Sequence, residues 1–489
     1  MTSKPPYITP ASSEEVSNTD PDLISVHEFA PAEVSEIDLY QKREKIYTRK
    51  IEGLFQRLRM FTGWPLLMGY LLLPWLQWGD RQAVLFDLPA RKFHILGLTF
   101  WPQDMSMLGW VLIIAAFGLF AVTNFAGRVW CGYTCPQTVW TSIFMWIEQR
   151  VEGSRNQRIK LDKAPWTPSK ALKKFLKHGM WLGFAFLTGF TFVGYFTPID
   201  ELGYGLFSLS VSAWAGVWIF IFTLLTYLNA GWMREQVCMH MCPYARFQSA
   251  MFDRDTLIIS YDSARGDPRG SRKRNETSAE VGLGDCIDCQ LCVQVCPTGI
   301  DIRNGLQYEC IGCALCVDAC NSVMAKMNYP KGLISYTTEN ALSGKPLRII
   351  RPRLVGYVIA VLIMCSLLGY RMITRDTLVL SVLRDRQALY FQSVDGLIEN
   401  RYTLRIANKT EQDHDYQLRI NSTAELQLRG SKALRVESGE VRELNIQLLA
   451  EPGSLKTPSV AVSFIAAATD NLDKTVTVES RFIAPGSEH

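Results

Sequence analysis

Eight of the 13 cysteines fall in the 35-residue window from Cys286 to Cys320, at a spacing that can do redox chemistry. The first run reads Cys286-Ile-Asp-Cys289-Gln-Leu-Cys292-Val-Gln-Val-Cys296-Pro297, and the second Cys310-Ile-Gly-Cys313-Ala-Leu-Cys316-Val-Asp-Ala-Cys320. Each is C-x2-C-x2-C-x3-C, the bacterial pattern that wraps two [4Fe–4S] clusters. Three thiolates on a tight loop reach three corners of a cubane, and the fourth comes from the other run. Cys286, Cys289, Cys292 and Cys320 are therefore expected to hold one cluster, and Cys296, Cys310, Cys313 and Cys316 the other. The closing proline is missing from the second run, where Asn321 follows Cys320. Zinc takes four ligands, usually as two separated pairs, and a disulfide framework needs no runs this dense. The chemistry is one-electron transfer. Thiolates kept reduced for iron belong on the cytosolic side of a membrane.

Four further cysteines form two matched pairs, Cys131-Gly-Tyr-Thr-Cys135-Pro136 and Cys238-Met-His-Met-Cys242-Pro243. On a helix, residues i and i+4 share a face, so each pair is expected to present two sulfurs side by side. Pro136 and Pro243 would then break or kink the helix. Asn124, Ala126-Gly127 and Arg128 precede the first pair, and Asn229, Ala230-Gly231 and Arg234 the second, which reads as an internal repeat. Paired thiols with Met239, His240 and Met241 interleaved are a soft ligand set, suited to Cu(I), zinc or an iron–sulfur cluster. A metal shared between the pairs and two redox dithiols both stay open, against simple burial of small side chains. Cys365 is expected to be a packing residue, and His27, His94 and His178 have no partner pattern.

The elements that must carry these groups are largely apolar. Five stretches lack charge and approach bilayer length: Met60–Gly79, Met105–Gly127, Gly179–Ile199, Leu202–Met233 and Leu354–Tyr370. The segment between the second and third carries ten Lys and Arg, among them Arg150, Arg155, Lys170 and Lys177, whereas the one between the third and fourth carries none. The positive-inside rule makes the former cytoplasmic. That puts the N-terminus and the eight-cysteine segment inside and everything after the fifth helix outside, in agreement with the redox argument. After the first C-x3-C-P motif, Val139, Trp140, Ile143, Phe144 and Ile147 recur at helical spacing, as in an amphipathic helix on the membrane surface. The first fifty residues are polar and read as a disordered tail without a signal peptide.

From about Thr377 the pattern changes to period two, in Tyr402–Ala407, Tyr416–Ile420, Leu426–Leu428, Leu444–Leu448, Val460–Phe464 and Val476–Phe482. Short alternating strands with turns such as Ser438-Gly439 predict an antiparallel, immunoglobulin-like sandwich. It holds no catalytic constellation, and His414 is expected in a surface loop. The expected fold is a multi-domain membrane protein: a polar cytoplasmic tail over 1–50, a four-helix transmembrane region with both C-x3-C-P motifs over 51–260, a dicluster ferredoxin-like α+β domain over 261–345, a fifth transmembrane helix over 351–373, and a periplasmic sandwich over 377–489. A net charge of +4 gives no reason to expect nucleic acid as a partner.

The two C-x3-C-P motifs, the dicluster runs and the order of the segments closely resemble the FixG/RdxA/CcoG family of bacterial cytochrome c oxidase accessory proteins, over roughly residues 40–485. The resemblance implies a polyferredoxin of the inner membrane that reduces Cu(II) to Cu(I) with electrons from two [4Fe–4S] clusters, in support of copper-centre assembly in a cbb3-type oxidase. It implies copper on Cys131, Cys135, Cys238 and Cys242. Ligand softness alone adds His240, Met239 and Met241. A copper chaperone or transporter, oxidase assembly proteins and the membrane are the implied partners. The chain has no GxGxxG fingerprint or other flavin or nicotinamide site, so a separate donor must supply electrons. A quinol-linked electron-transfer subunit and a non-catalytic redox-sensing assembly factor are the alternatives, and a homodimer stays open.

Overall fold

The computed structural model describes residues 45–485, apart from 80, 274–275, 277–281, 347, 375–376, 386–387, 394–395, 411, 456 and 470–474. The expected tail lies outside the described residues up to 44, as does His27. Helix α1 spans Leu54–Leu72 and has glycine, not a capping side chain, at its N-cap. Asp318, more than 260 residues away, supplies the cap. Its carboxylate accepts from Phe55 N at 3.2 Å and Gln56 N at 2.8 Å, satisfying N–H groups the helix cannot pair itself and opposing its dipole. A Cβ on Gly53 would collide with that carboxylate. The start of α1 is thereby pinned between Cys316 and Cys320.

Hydropathy gives no sign of the next element, a small antiparallel sheet of β1 (Val84–Asp87), β2 (Lys92–Ile95) and β3 (Leu98–Phe100). Val84 lies opposite Ile95, and Phe93 opposite Phe100. Helix α2 (Met105–Ala126) follows, then α3 (Val129–Tyr133), α4 (Pro136–Glu152), α5 (Arg155–Lys163), α6 (Pro168–Gly194), α7 (Ile199–Phe207) and α8 (Ala213–Thr226). A π-helical turn, Tyr227–Met233, extends α8. A second, Val237–Met241, leads into α9 (Pro243–Met251).

Among the described residues three helices are long and apolar enough to cross a membrane: Met105–Ala126, Ala213–Met233 and Pro352–Ile373, with mean hydropathies of 2.3, 1.5 and 1.9. The other two expected spans do not stand as separate apolar helices. Gly179–Ile199 overlaps the second half of α6, whose first half carries Lys170, Lys173, Lys174 and Lys177. Met60–Gly79 begins inside α1 and runs through a 3-10 turn into a short strand. The stretch Leu202–Met233 is interrupted between α7 and α8. Helices α6 and α8 touch backbone to backbone: a Cβ on Gly189 would lie 2.8 Å from Ile219 O, the small-residue contact that lets membrane helices approach. The amphipathic expectation for α4 is also corrected, because Phe144, Ile147, Glu148 and Glu152 are all buried rather than laid along a surface.

The eight-cysteine segment is framed by β4 (Ile258–Tyr261) and β5 (Ile334–Thr337), paired antiparallel with Tyr261 opposite Ile334. Between them lie α10 (Leu291–Val295) and α11 (Leu315–Met327). Helix α12 (Pro352–Ile373) packs on α2, with Tyr357 6.4 and 6.3 Å from the rings of Phe117 and Phe120. Both helices expose Leu and Ile outward, such as Leu112, Leu362 and Ile363. Cys365, expected to be packed, is exposed on α12.

The C-terminal module is a two-sheet sandwich. Its strands are β6 (Leu378–Arg384), β7 (Ile398–Asn408), β8 (His414–Ser422), β9 (Gln427–Arg429), β10 (Ala433–Val436), β11 (Val441–Ala450), β12 (Ser459–Ala468) and β13 (Thr475–Ile483). One sheet runs β9-β11-β7-β6 and the other β10-β8-β12-β13. Alternate residues of each strand, including Leu404, Tyr402, Phe464 and Phe482, fill the space between them. His414 is not in a surface loop: it opens β8 and is buried. The module joins the rest of the chain through a buried ion pair, Lys409 Nζ to Asp104 Oδ1 at 2.9 Å.

Candidate electron-transfer and metal site

The two cluster-type loops share an unusual backbone. In the first, Asp288 and Gln290 have φ of 50° and 52°; in the second, Gly312 and Ala314 have 67° and 56°. Left-handed residues therefore flank the middle cysteine of each run, and the second of them caps the helix that follows. Such a conformation costs a non-glycine residue roughly 1–2 kcal/mol, so its repetition three times outside glycine marks a shape that the loop must hold. The folded loops gather their sulfurs in the expected sets. Cys286, Cys289, Cys292 and Cys320 line one cavity of about 360 Å³. Cys296, Cys310, Cys313 and Cys316 line a second of about 340 Å³, which Cys292 also touches. The remaining walls are mainly Ile, Leu, Val and Met.

Burial, and then neighbouring thiols, raise the thiols of Cys310 and Cys320 to about 12. Burial of this kind disfavours the thiolate until a multivalent cation takes the place of the proton. Two sets of four, with the crossover of Cys296 and Cys320, fit two cubane clusters. In the first cavity Cys289 is exposed and its three companions are buried; in the second Cys313 is buried and its companions are half-buried. Arg303 lines the first cavity and pairs with Asp301 at 2.7 Å and with Asp288.

The C-x3-C-P motifs are not continuous helices with two sulfurs on one face. Cys131 lies in the short α3 and Cys238 in a π-helical turn, while Cys135 and Cys242 are extended N-cap residues. Pro136 and Pro243 occupy the first position of the next helix, where a missing N–H costs nothing. They start helices instead of breaking them. The repeat is real but shifted. A left-handed residue ends the preceding helix four positions before the first cysteine each time, Gly127 at φ 57° and Arg234 at φ 46°. The two motifs converge: the Cys131 thiol feels Cys135, Cys238 and Cys242, and the Cys238 thiol feels Cys135 and Cys242. Burial first, then these neighbours, raise both Cys131 and Cys238 to about 12, and the Arg128 guanidinium opposes the rise. Met239 is half-buried, and His240 and Met241 are exposed. Among the described residues no three His, Cys, Asp or Glu side chains close on a point as ligands of one metal ion do.

The first pair is seated on the second cluster cavity. A Cβ on Gly132 would lie 2.8 Å from Cys313 Cα, 2.9 Å from Cys313 N and 2.9 Å from Ile311 O. Only glycine lets the two loops meet backbone to backbone there, and Cys131 packs into the cluster of side chains around Cys313. Arg128 stitches the same junction. Its buried guanidinium donates to Tyr308 O, to Cys310 O at 3.5 Å and to Ala245 O. Tyr336 adds a hydrogen bond to Gly312 O at 2.5 Å. Arg128 is visible as part of the internal repeat, though not in this role; Gly132 and Tyr336 have no signal in spacing, although a glycine inside the first motif could have been flagged.

A buried charge network holds the second motif. Glu148 on α4 accepts from Arg158 at 3.3 Å and from Arg234 at 2.9 Å. Glu152, one turn on, pairs with Lys174 at 2.8 Å and Lys177 at 2.9 Å. The Trp181 ring lies under both Lys177 and Arg234, 4.8 and 5.2 Å from its centroid. Arg234 stands four residues before Cys238, so α4, whose N-cap is Cys135, fixes both motifs at once.

Apolar helices, two four-cysteine cavities and a sandwich define a membrane-associated polyferredoxin, an electron-transfer protein built on iron–sulfur clusters. Known proteins agree. Residues 233–339 match the profile described as "4Fe-4S dicluster domain", 108–152 that of a "4Fe-4S binding domain", and 368–485 the "IG-like fold at C-terminal of FixG". Protein RdxA of Cereibacter sphaeroides is 40% identical over 418 residues, 81% of this chain and 87% of its own. Nitrogen fixation protein FixG of Rhizobium meliloti is 35% identical over 496 residues, 92% of this chain and 94% of its own. The chain belongs to the FixG/RdxA family.

Proposed function

We propose that the protein is a membrane-bound cupric reductase that serves copper-centre assembly of a cbb3-type oxidase. Two [4Fe–4S] clusters, on Cys286/Cys289/Cys292/Cys320 and Cys296/Cys310/Cys313/Cys316, supply single electrons. Cys131, Cys135, Cys238 and Cys242 hold Cu(II), with Met239, His240 and Met241 beside them as further soft donors. The observation that supports this reading is the seat of Gly132 on the Cys313 backbone, which brings the first C-x3-C-P pair against a cluster loop. Reduction is then Cu(II) plus one electron to Cu(I), with no atom transferred. Thiolate ligands favour the Cu(I) product, which passes to a copper chaperone or transporter and on to oxidase assembly proteins. The charge pattern between the apolar stretches supports an orientation with the N-terminus and clusters cytoplasmic and the sandwich periplasmic. The test is anaerobic. Cu(II) is added to protein with chemically reduced clusters, and the cluster spectrum is followed. Reoxidation is expected in the native protein and lost when all four cysteines are changed to Ser; no reoxidation, or equal reoxidation in the variant, refutes the reading.

One observation favours a second reading of the quartet. The "4Fe-4S binding domain" match spans Cys131 and Cys135, so the four cysteines could hold a third cluster. Iron analysis separates the two: about eight atoms per chain for two clusters and about twelve for three.

A further inference from the structure

We infer that the cleft between the β1–β3 sheet and the sandwich is a binding site for a phosphate-class oxyanion. The walls of the cleft include Arg81, Lys92, His94, Trp101, Lys409 and Ser438. Among the described residues no carboxylate lines it. Lys409 is neutralised by Asp104 at 2.9 Å. Lys92 is not: among the described residues its ammonium has no carboxylate partner and lies 5.3 Å from the centre of the Trp101 ring. Trp101 is 5% exposed, and its indole Nε1 has no hydrogen-bond acceptor. A buried N–H donor without an acceptor and an ammonium without a carboxylate, on two residues that line one cleft, are what a bound anion would satisfy.

The turn at Gly439 completes the cradle. Its φ is 66°, and a Cβ there would lie 2.9 Å from Trp101 Cζ2 and 3.4 Å from Lys92 Nζ. The bare glycine is what allows the indole and the ammonium to close on the same side. Groups converge from a short strand, from β2, from the segment after β3 and from two sandwich loops, an approach from several sides that suits a tetrahedral oxyanion better than a planar carboxylate. Trp101 stands four residues before Met105, where the apolar helix α2 begins. The anion could therefore be a lipid headgroup phosphate or free phosphate.

Full-length, cluster-loaded protein separates these sources in two arms. In detergent, radiolabelled inorganic phosphate is measured by equilibrium dialysis. In nanodiscs of phosphatidylethanolamine with or without phosphatidylglycerol, retained lipid is measured by native mass spectrometry. Binding of free phosphate assigns the soluble ion, and retention of phosphatidylglycerol alone assigns the headgroup. In either case Lys92→Gln should weaken binding by about tenfold or more, the worth of one charge-assisted hydrogen bond, and Lys92→Arg should keep it. An unchanged cluster spectrum in Lys92→Gln certifies the fold. Binding in neither arm, or equal binding by Lys92→Gln, overturns the inference.

Discussion

Replacing Arg128 by Gln removes one positive charge from the junction of the second cluster cavity and the sulfur quartet. The guanidinium is buried, reaches Cys310 O at 3.5 Å, and is the cation that opposes the raised thiols of Cys131, Cys238 and Cys310. With a charge-to-cluster separation on the order of 7 Å and an effective dielectric near 20, one unit charge contributes about 2 kcal/mol. For a one-electron couple that corresponds to a shift of about 100 mV. The sign follows from charge. Reduction makes a cluster more negative, so a nearby cation favours the reduced state, and its loss moves the midpoint potential downward. The first cavity has its own cation in Arg303, so its cluster should stay where it was. Redox titration followed by EPR on anaerobic protein reads both signals at once. One of them should fall in Arg128→Gln and hold in Arg128→Lys, which keeps the charge but loses the fork to Tyr308 O and Ala245 O. If neither signal moves while iron is retained, or if Lys shifts the potential as far as Gln, Arg128 acts only as a structural tie.

Gly132→Ala forces a methyl onto the Cys313 backbone and should cost about 1–3 kcal/mol; iron content should persist while stopped-flow reoxidation of the clusters by Cu(II) slows. Glu148→Gln leaves Arg158 and Arg234 buried against a neutral amide and should destabilise the protein by about 3–5 kcal/mol, seen as a lower thermal midpoint, whereas exposed Glu443→Gln, across from Arg405, should change it little. Hydrogen bonds and charge from Arg303 hold the Asp301 carboxyl below the usual carboxylate range. The stability from that pair, about 1 kcal/mol, is complete above about pH 4, the unfolded value, and disappears as pH falls through the lowered folded value. The gap in melting temperature between native protein and Asp301→Asn should thus be constant from neutral pH down to about pH 4 and close below it.

The legible parts of the chain are those whose physics is local. Cluster ligation needs three sulfurs within one tight loop, so C-x2-C-x2-C survives as a printed spacing, and the sets meet in the cavities as the crossover rule requires. The sandwich is legible because one face of each strand is buried, which fixes a period of two, as in β12. The C-x3-C-P motifs misled for an equally local reason. Spacing of four is helical only if the backbone is helical, and a proline after the second cysteine is also the signature of a helix start. The Asp318 cap on α1 and the sharing of Glu148 by Arg158 and Arg234 join segments far apart in sequence, and no window of residues contains them. The β1–β3 sheet was invisible because its strands, of three or four residues, are too short to show a period.

The order of the sulfur sets gives the site a direction. Cys289 of the first cavity is open to solvent, Cys313 of the second is buried, and Cys292 borders both cavities. Beyond Cys313 the next contact is Gly132, between Cys131 and Cys135. On the proposed reading, an electron entering near Cys289 reaches the first C-x3-C-P pair through protein. Helices with no cysteine then have a definite task. Through Asp318, α1 holds the helix bearing Cys316 and Cys320; through Glu148, α4 holds Arg234 ahead of Cys238. A membrane frame that fixed only the quartet, or only the ferredoxin segment, would leave the Gly132–Cys313 contact free to open. Because both are clamped, the gap between the last cluster and the quartet is set by backbone atoms, and side-chain motion cannot widen it.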